Sequence, residues 1–296
     1  MQFSRALIVG GQGALAQSLK NAAPATVECQ SANRADLDIT DGAAVRAYLE
    51  NARPDAVLNG AAYNAVDRAQ NEGAADAIAI NATGVANLAI ACRDLEIPLV
   101  HFSSDFVLDG RKRTPYIETD ATGPLSIYGA SKLCGENIAL TTSPRNLAIR
   151  VCRLFGPTVE DGSGSARKPG GNFPLLMLRL ARERGGVRVV DDQIGSPSYT
   201  PDVAKGVWQL LANDASGLFH LSNAGEVSFA DYAAAVFQIA GADCPIERVS
   251  SAEYNAPAAR PLYSTLCNDK ATAAGVTPLR HWRDALTEFL RPTIIR

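Results

Sequence analysis

The chain has 296 residues, 47% hydrophobic and 20% charged, with a formal net charge of −3, enough apolar material for one large domain or about two. That charge balance argues against a general binder of nucleic acid or of anionic membrane surfaces. The six cysteines form no CxxC pair and the three histidines do not cluster, so neither a zinc site nor a disulfide framework is expected, and the cytoplasm is the expected location.

Residues 1–9 are too short an apolar stretch for a signal peptide, and no apolar run is expected to reach membrane-spanning length. Residues 6–9 form a short apolar strand, followed by Gly10-Gly-Gln-Gly13-Ala-Leu-Ala16 and a helix to about Asn21. A second strand is expected over 26–30, and Asp41 caps a helix to about Ala52. Pro54 leads into a strand over Ala56–Asn59, and an Ala-rich segment over 71–95 has helical spacing up to Pro98. Strands over 99–102 and 147–150 flank a helix containing Tyr128 and Lys132. This alternation of strands and helices, with strands apolar on both faces, predicts an α/β fold: a Rossmann-type doubly wound parallel sheet.

After about Leu154 the rhythm changes. Residues 156–171 are rich in Gly, Ser and Pro and predict a loop; a helix over Phe173–Arg184 and a strand over Val187–Val190 follow. Residues 191–200 are irregular and polar. Helices over 202–211, Phe229–Ala240 and 282–290 and a strand over 218–221 complete the chain. We therefore expect a dinucleotide-binding domain over 1–154 and a smaller C-terminal α/β substrate domain over 155–296, part of 187–214 returning to the first.

Gly10, Gly13 and Ala16 fit GxxGxxA between a strand and a helix. Gly10 allows the turn, Gly13 lets backbone approach a pyrophosphate, and Ala16 permits close helix packing. The helix N-terminus adds free N–H groups and partial positive charge. The second strand ends without the acid that would hold a ribose 2′-hydroxyl, and Arg34 follows. Arg34 is either a 2′-phosphate contact or a solvated loop charge. The expected cofactor is NADPH, with NADH possible because acids stand among residues 36–41.

Ser103 and Ser104 lie just past a strand end, where ligands bind in such sheets. Their hydroxyls can polarise a substrate carbonyl as negative charge develops on its oxygen; a local capping role is the alternative. Tyr128 and Lys132 are one helical turn apart on one face. A nearby ammonium favours phenolate, so Lys132 is expected to lower the Tyr128 pKa and make it a proton donor at neutral pH. Asp105 is equally well read as a turn residue, and His101 as a packed core histidine.

Together these segments resemble the extended short-chain dehydrogenase/reductase family, and more narrowly the dTDP-4-dehydrorhamnose reductase family. The similarity runs through residues 34–41, 54–59, 61–67, 102–107, 116–120, 128–136, 192–197 and 259–261. It implies reduction of the 4-keto group of a nucleotide-linked 6-deoxyhexose, by a monomer or homodimer. By resemblance, Gln12, Ala14 and Leu15 join Gly10 and Gly13 at the pyrophosphate, and Asp38 and Ile39 lie near the adenine. Ala61, Ala62 and Tyr63 line the cofactor cleft, with Ser103, Tyr128 and Lys132 also on the cofactor side. Ser104, Tyr128 and Lys132 form the catalytic set, and Asp67 and Arg260 lie toward the substrate.

Phe106 and Arg153 stand where the family commonly has Tyr and Trp, at positions the resemblance places at the substrate end. An Arg there offers a cation for phosphate or carboxylate, or an internal ion pair. Ser18 replaces an acid through which some members hold an interfacial metal, so no metal is expected. Ser104 is followed by Asp105 and Phe106 rather than Asp-Glu, which disfavours a 4,6-dehydratase. A nucleotide-sugar C4 epimerase and a non-catalytic cofactor-binding regulatory subunit are the remaining alternatives.

Overall fold

The computed structural model describes residues 3–157 and 172–294; most of the loop expected over 156–171 lies outside them. The first half runs β1 (Arg5–Val9), α1 (Ala14–Asn21), β2 (Glu28–Ala32), α2 (Gly42–Ala52), β3 (Ala56–Asn59), α3 (Val66–Ala69) and α4 (Ala74–Ile78). A π-turn over Ala79–Thr83 leads into α5 (Gly84–Asp94), then β4 (Leu99–Ser104), a 3-10 turn over Asp105–Val107, α6 (Ile127–Thr142) and β5 (Leu147–Val151). The second half runs β6 (Leu154–Phe155), α7 (Phe173–Arg184), β7 (Val187–Val190), β8 (Ile194–Gly195), β9 (Ser198–Tyr199), α8 (Thr200–Ala212) and β10 (Gly217–His220). It ends with β11 (Val227–Ser228), α9 (Phe229–Ala240), β12 (Ile246–Val249), α10 (Ser251–Tyr254), α11 (Asp269–Ala273) and α12 (Trp282–Ile294).

The main sheet is six-stranded and parallel, in the order β10-β5-β4-β3-β1-β2. The order reverses at β1 and β3, so a crevice opens there beyond the strand C-termini. Both faces are covered, as the unbroken apolar strands require. Ala6 and Ile8 pack with Leu15, Leu19, Val203 and Val207 on one face, and Leu7 and Val9 pack with Val45, Leu49, Val85 and Leu88 on the other. Asp41 caps α2 as expected, its carboxylate accepting from the Ala43 and Ala44 amides.

α8 packs on α1 and β10 pairs with β5, so residues 200–220 lie in the sheet layers of the first half; β7 instead pairs with β12. Ser18 faces this contact, its hydroxyl donating to Thr200 Oγ1 at 2.8 Å. The stretch Ala74–Asp94 is long and apolar enough to cross a membrane by length and composition, contrary to expectation, although half of its apolar window is buried within the protein, against α2 and α6.

The second half has its own core, with Phe155, Met177, Tyr199, Tyr232, Phe237, Trp282 and Leu286 at its centre. Its short strands β6, β8, β9 and β11 were not foreseen, because two-residue strands carry no readable periodicity.

Candidate active site

The β1–α1 loop is built for close approach. Gly10 has φ +76°, and a Cβ there would lie 2.6 Å from the Ala61 amide nitrogen. Its own amide and that of Gly11 donate to the Ala32 carbonyl, fixing the loop over the end of β2. Gly13 is the N-cap of α1, with no side chain capping the helix and no acid in its first turn. Ala16 packs toward Gly60, which explains its small size. Ser31 Oγ and Ser103 Oγ, at the ends of β2 and β4, are buried without a hydrogen-bond partner among the described residues. An uncapped helix end, a Gly cradle and orphaned hydroxyls fit a dinucleotide.

Gln12 is exposed on this loop and Ala14 half-buried, while Leu15 turns its side chain into the core. Arg34 lies beyond β2, 74% exposed and 3.5 Å from Asp38, which leaves its guanidinium accessible. Asp38 accepts from the Thr40 amide and hydroxyl, and these bonds hold its carboxyl below the usual range. Ile39 is placed less openly than the resemblance implies: it is buried with Val45 and Val85 against Gly84. Ala61, Ala62 and Tyr63 follow β3 as half-buried residues; Tyr63 packs with Phe106 and Tyr128.

The catalytic set converges from β4 and α6. Ser126 caps α6, accepting from the Gly129 amide. Two glycines let the helix press inward: a Cβ on Gly129 would meet the Phe106 carbonyl oxygen at 2.3 Å, and one on Gly135 the Asn81 carbonyl oxygen at 2.2 Å. Tyr128, Ser131, Lys132 and Glu136 are consequently buried. The Glu136 carboxylate receives the Arg150 guanidinium bidentately, at 2.9 and 2.6 Å, tying α6 to β5. Asn81, a polar residue inside an apolar helical run, accepts from the Tyr63 amide and donates to the Tyr63 carbonyl and Ser131 Oγ. A polar residue in an apolar helical run is the signal by which Asn81 is readable in the sequence.

The electrostatics correct one expectation. Burial pushes the Tyr128 phenol up to about 12, opposed by a hydrogen bond with Ser104 and aided by the Asp105 charge. Lys132 does not offset this, because its ammonium turns to the Phe102 carbonyl; burial lowers Lys132 itself to about 8, against the Glu136 charge. Desolvation of the phenol outweighs the pairing inferred from the four-residue spacing. The Tyr128 hydroxyl instead donates to Asn64 Oδ1 at 3.4 Å, a contact not anticipated from the sequence.

Ser104 Oγ donates to Asp105 Oδ1 at 3.1 Å. Asp105 is buried; its other oxygen accepts from Ser264 Oγ at 2.7 Å and Cys152 Sγ at 3.2 Å, and burial raises its pKa. Asp105 is therefore more than a turn residue, since it links β4 to the second half. His101 is a core histidine, fully buried and driven well below its ordinary pKa by burial and by Lys132.

Phe106 meets Tyr128 edge-on at 5.3 Å. Asp67 and Arg260, both placed near the substrate by resemblance, pair with each other at 2.9 Å across the two halves. Arg153 departs from the reading of a cation open to substrate. Its two terminal nitrogens donate to the Val227 and Gln193 carbonyls at 2.8 Å each, and it lies 3.8 Å from the Phe229 ring centroid. The Asp105 charge also favours the Arg153 guanidinium, so the internal-pair alternative retains a partner in Asp105.

The RmlD substrate binding domain family matches residues 4–294. A dTDP-4-keto-6-deoxy-D-glucose reductase of Streptomyces niveus is 38% identical, covering 86% of this chain and 85% of its own length. A dTDP-4-dehydrorhamnose reductase of Mycolicibacterium smegmatis is 39% identical, covering 98% and 86%. Among solved structures, dTDP-4-dehydrorhamnose reductase from Bacillus anthracis in complex with NADP superimposes with a TM-score of 0.90 at 31% identity, over 98% of this chain and 99% of that one.

Proposed function

The chain belongs to the RmlD substrate binding domain family, and from that membership we infer an NADPH-dependent reductase of the 4-keto group of a nucleotide-linked 6-deoxyhexose, working in deoxysugar precursor synthesis. The same reading leaves NADH open as an alternative cofactor. The observation that carries this reading is the meeting of Ser104 and the Tyr128 phenol at the C-terminal end of the sheet, the same end at which the Gly10–Gly13 loop leaves β1. Action in the cytoplasm, by a monomer or homodimer, belongs to the same reading.

The Gly10–Gly13 turn and the α1 N-terminus would hold the cofactor pyrophosphate, and the exposed Arg34 beyond β2 would pair with a 2′-phosphate. When bound, the cofactor supplies a hydride to the carbonyl carbon. In the reaction the one Ser104 hydroxyl hydrogen would turn from Asp105 Oδ1 to the carbonyl oxygen and steady the charge that builds there. Tyr128, protonated across the neutral range with its pKa near 12, gives its proton to that oxygen. Lys132 is buried beside it and fixed by the Phe102 carbonyl, leaving further N–H donors for the ribose and the phenolate. Asp105, held by Ser264 and Cys152, orients Ser104 from behind. Arg153 closes the wall of the second half from inside.

The test is an assay of a panel of nucleotide 4-keto-6-deoxy sugars with NADPH and NADH, with NMR of the products. Stoichiometric cofactor oxidation and a 4-hydroxy product are expected. Product formed without net cofactor consumption would instead identify an epimerase.

A further inference from the structure

The segment between β3 and α4 brings a polar group to the reaction centre that the mechanism above does not use. Asn64 stands exposed beside the buried Tyr128, and its Oδ1 is the acceptor for the phenol hydrogen at 3.4 Å. The Lys132 ammonium is engaged with the Phe102 carbonyl, while Ser104, whose hydroxyl donates to Asp105, is the phenol's other hydrogen-bonding neighbour. The backbone that carries Asn64 is pinned on every side. The Tyr63 amide donates to Asn81 Oδ1 at 2.9 Å, and the Asn64 carbonyl accepts from the Val66 amide at 3.0 Å. Asp67 pairs with Arg260, and Gln70 Oε1 accepts from the Ile127 amide at 3.2 Å. Asn64 is therefore presented to Tyr128 by a strap anchored on the π-turn, on α6 and on the second half.

We propose that Asn64 is a further catalytic residue, whose carboxamide holds the Tyr128 phenol before proton transfer and the phenolate after it. This rests on the reduction inferred above. In that reaction the hydride of a nicotinamide C–H bond would pass to the sugar carbonyl carbon, so that NADPH is oxidised to NADP⁺ and the carbonyl reduced, its π pair moving to oxygen. The Tyr128 O–H bond then breaks as its proton joins that oxygen, and Tyr128 is left as phenolate. A carboxamide offers one acceptor oxygen and two N–H donors. Oδ1 accepts from the phenol at the start. Rotation of the amide then turns Nδ2–H toward the phenolate, a charge-assisted and hence stronger hydrogen bond. Besides Asn64, the polar groups that meet Tyr128 are Ser104 at the end of β4, Asp105 from the 3-10 turn and Tyr63 from the strap, while α3 and α4 present Val66, Ala69 and Ala77.

The experiment compares wild-type protein with Asn64→Ala, Asn64→Asp and Asn64→Thr. Each carries [13Cζ]tyrosine, with the Tyr128 resonance assigned through Tyr128→Phe. Loss of one hydrogen bond predicts a fall in kcat of about tenfold for Asn64→Ala, a larger solvent deuterium isotope effect and an unchanged KM for NADPH. Thr, which both accepts and donates, recovers most of the loss. Asp, which only accepts, does not recover turnover, although it keeps the phenol bonded. The Tyr128 Cζ resonance moves in Asn64→Ala. Wild-type kcat and isotope effect in Asn64→Ala, or a Tyr128 resonance indifferent to residue 64, overturns the proposal. The resonance needs no substrate, so a wild-type protein that reduced no sugar would defeat the reductase reading while the Asn64–Tyr128 bond was still judged.

Discussion

At the level of single residues, the site is governed by burial rather than by spacing. Tyr128 and Lys132 were legible as a pair, as were Ser104 and the glycine loop. What the spacing could not carry was direction: the ammonium faces the Phe102 carbonyl, and desolvation raises the phenol instead of lowering it. Arg153 was visible as a departure, but its tether to the Val227 and Gln193 carbonyls depends on strands too short to read. Tyr128→Phe should lose at least a hundredfold in kcat, within the roughly 10²–10⁴ range of general acid catalysis. Its affinity for NADPH, measured by fluorescence titration, should stay near wild type, because the Gly10–Gly13 cradle does not depend on the hydroxyl. Wild-type turnover in this variant would remove Tyr128 from proton transfer.

At the level of elements, α6 is the part whose exact seat matters most. Its apolar and polar positions announced a helix, yet neither the π-turn beneath it nor the role of Gly135 was foreseen. Both arise from backbone meeting backbone, which side-chain periodicity does not encode. Gly135→Ala places a methyl group against the Asn81 carbonyl and close to His101. A backbone oxygen cannot swing away, so a loss of about 1–3 kcal/mol or more is expected in denaturant unfolding. Activity should fall in addition, because Lys132 and Tyr128 shift with the helix. Gly185→Ala serves as the control: its Cβ would meet nothing within 4 Å, and its positive φ alone should produce a milder loss. Equal stability of Gly135→Ala and wild type would show that the helix has room to move.

At the level of the whole molecule, buried polar groups couple the halves to pH. His220 joins β10 to Arg150 and the Tyr116 carbonyl, and burial together with Arg150 lowers it from an ordinary 6.5 to about 3; His101 is lowered as well. The unfolded chain binds these protons first as acid is added, so their contribution to stability is complete above about pH 6.5 and is lost as pH falls toward 3. The melting temperature is therefore expected to drop between pH 7 and 5, and a flat profile over that window would contradict the buried neutral histidines. The parallel sheet was legible from its apolar strands, whereas β10 was not assigned to it, because the strand is separated from its neighbour β5 by some 65 residues of other structure. That sixth strand has a consequence for anyone wishing to recombine such proteins. The chain leaves the sheet after β5, returns for α8 and β10, and departs again. A graft of the second half onto another scaffold thus needs two junctions, and a fragment ending at residue 154 would leave β5 as a bare, apolar edge. Such a fragment should precipitate on expression, while one in which residues 200–221 are spliced back should stay monodisperse in size-exclusion chromatography.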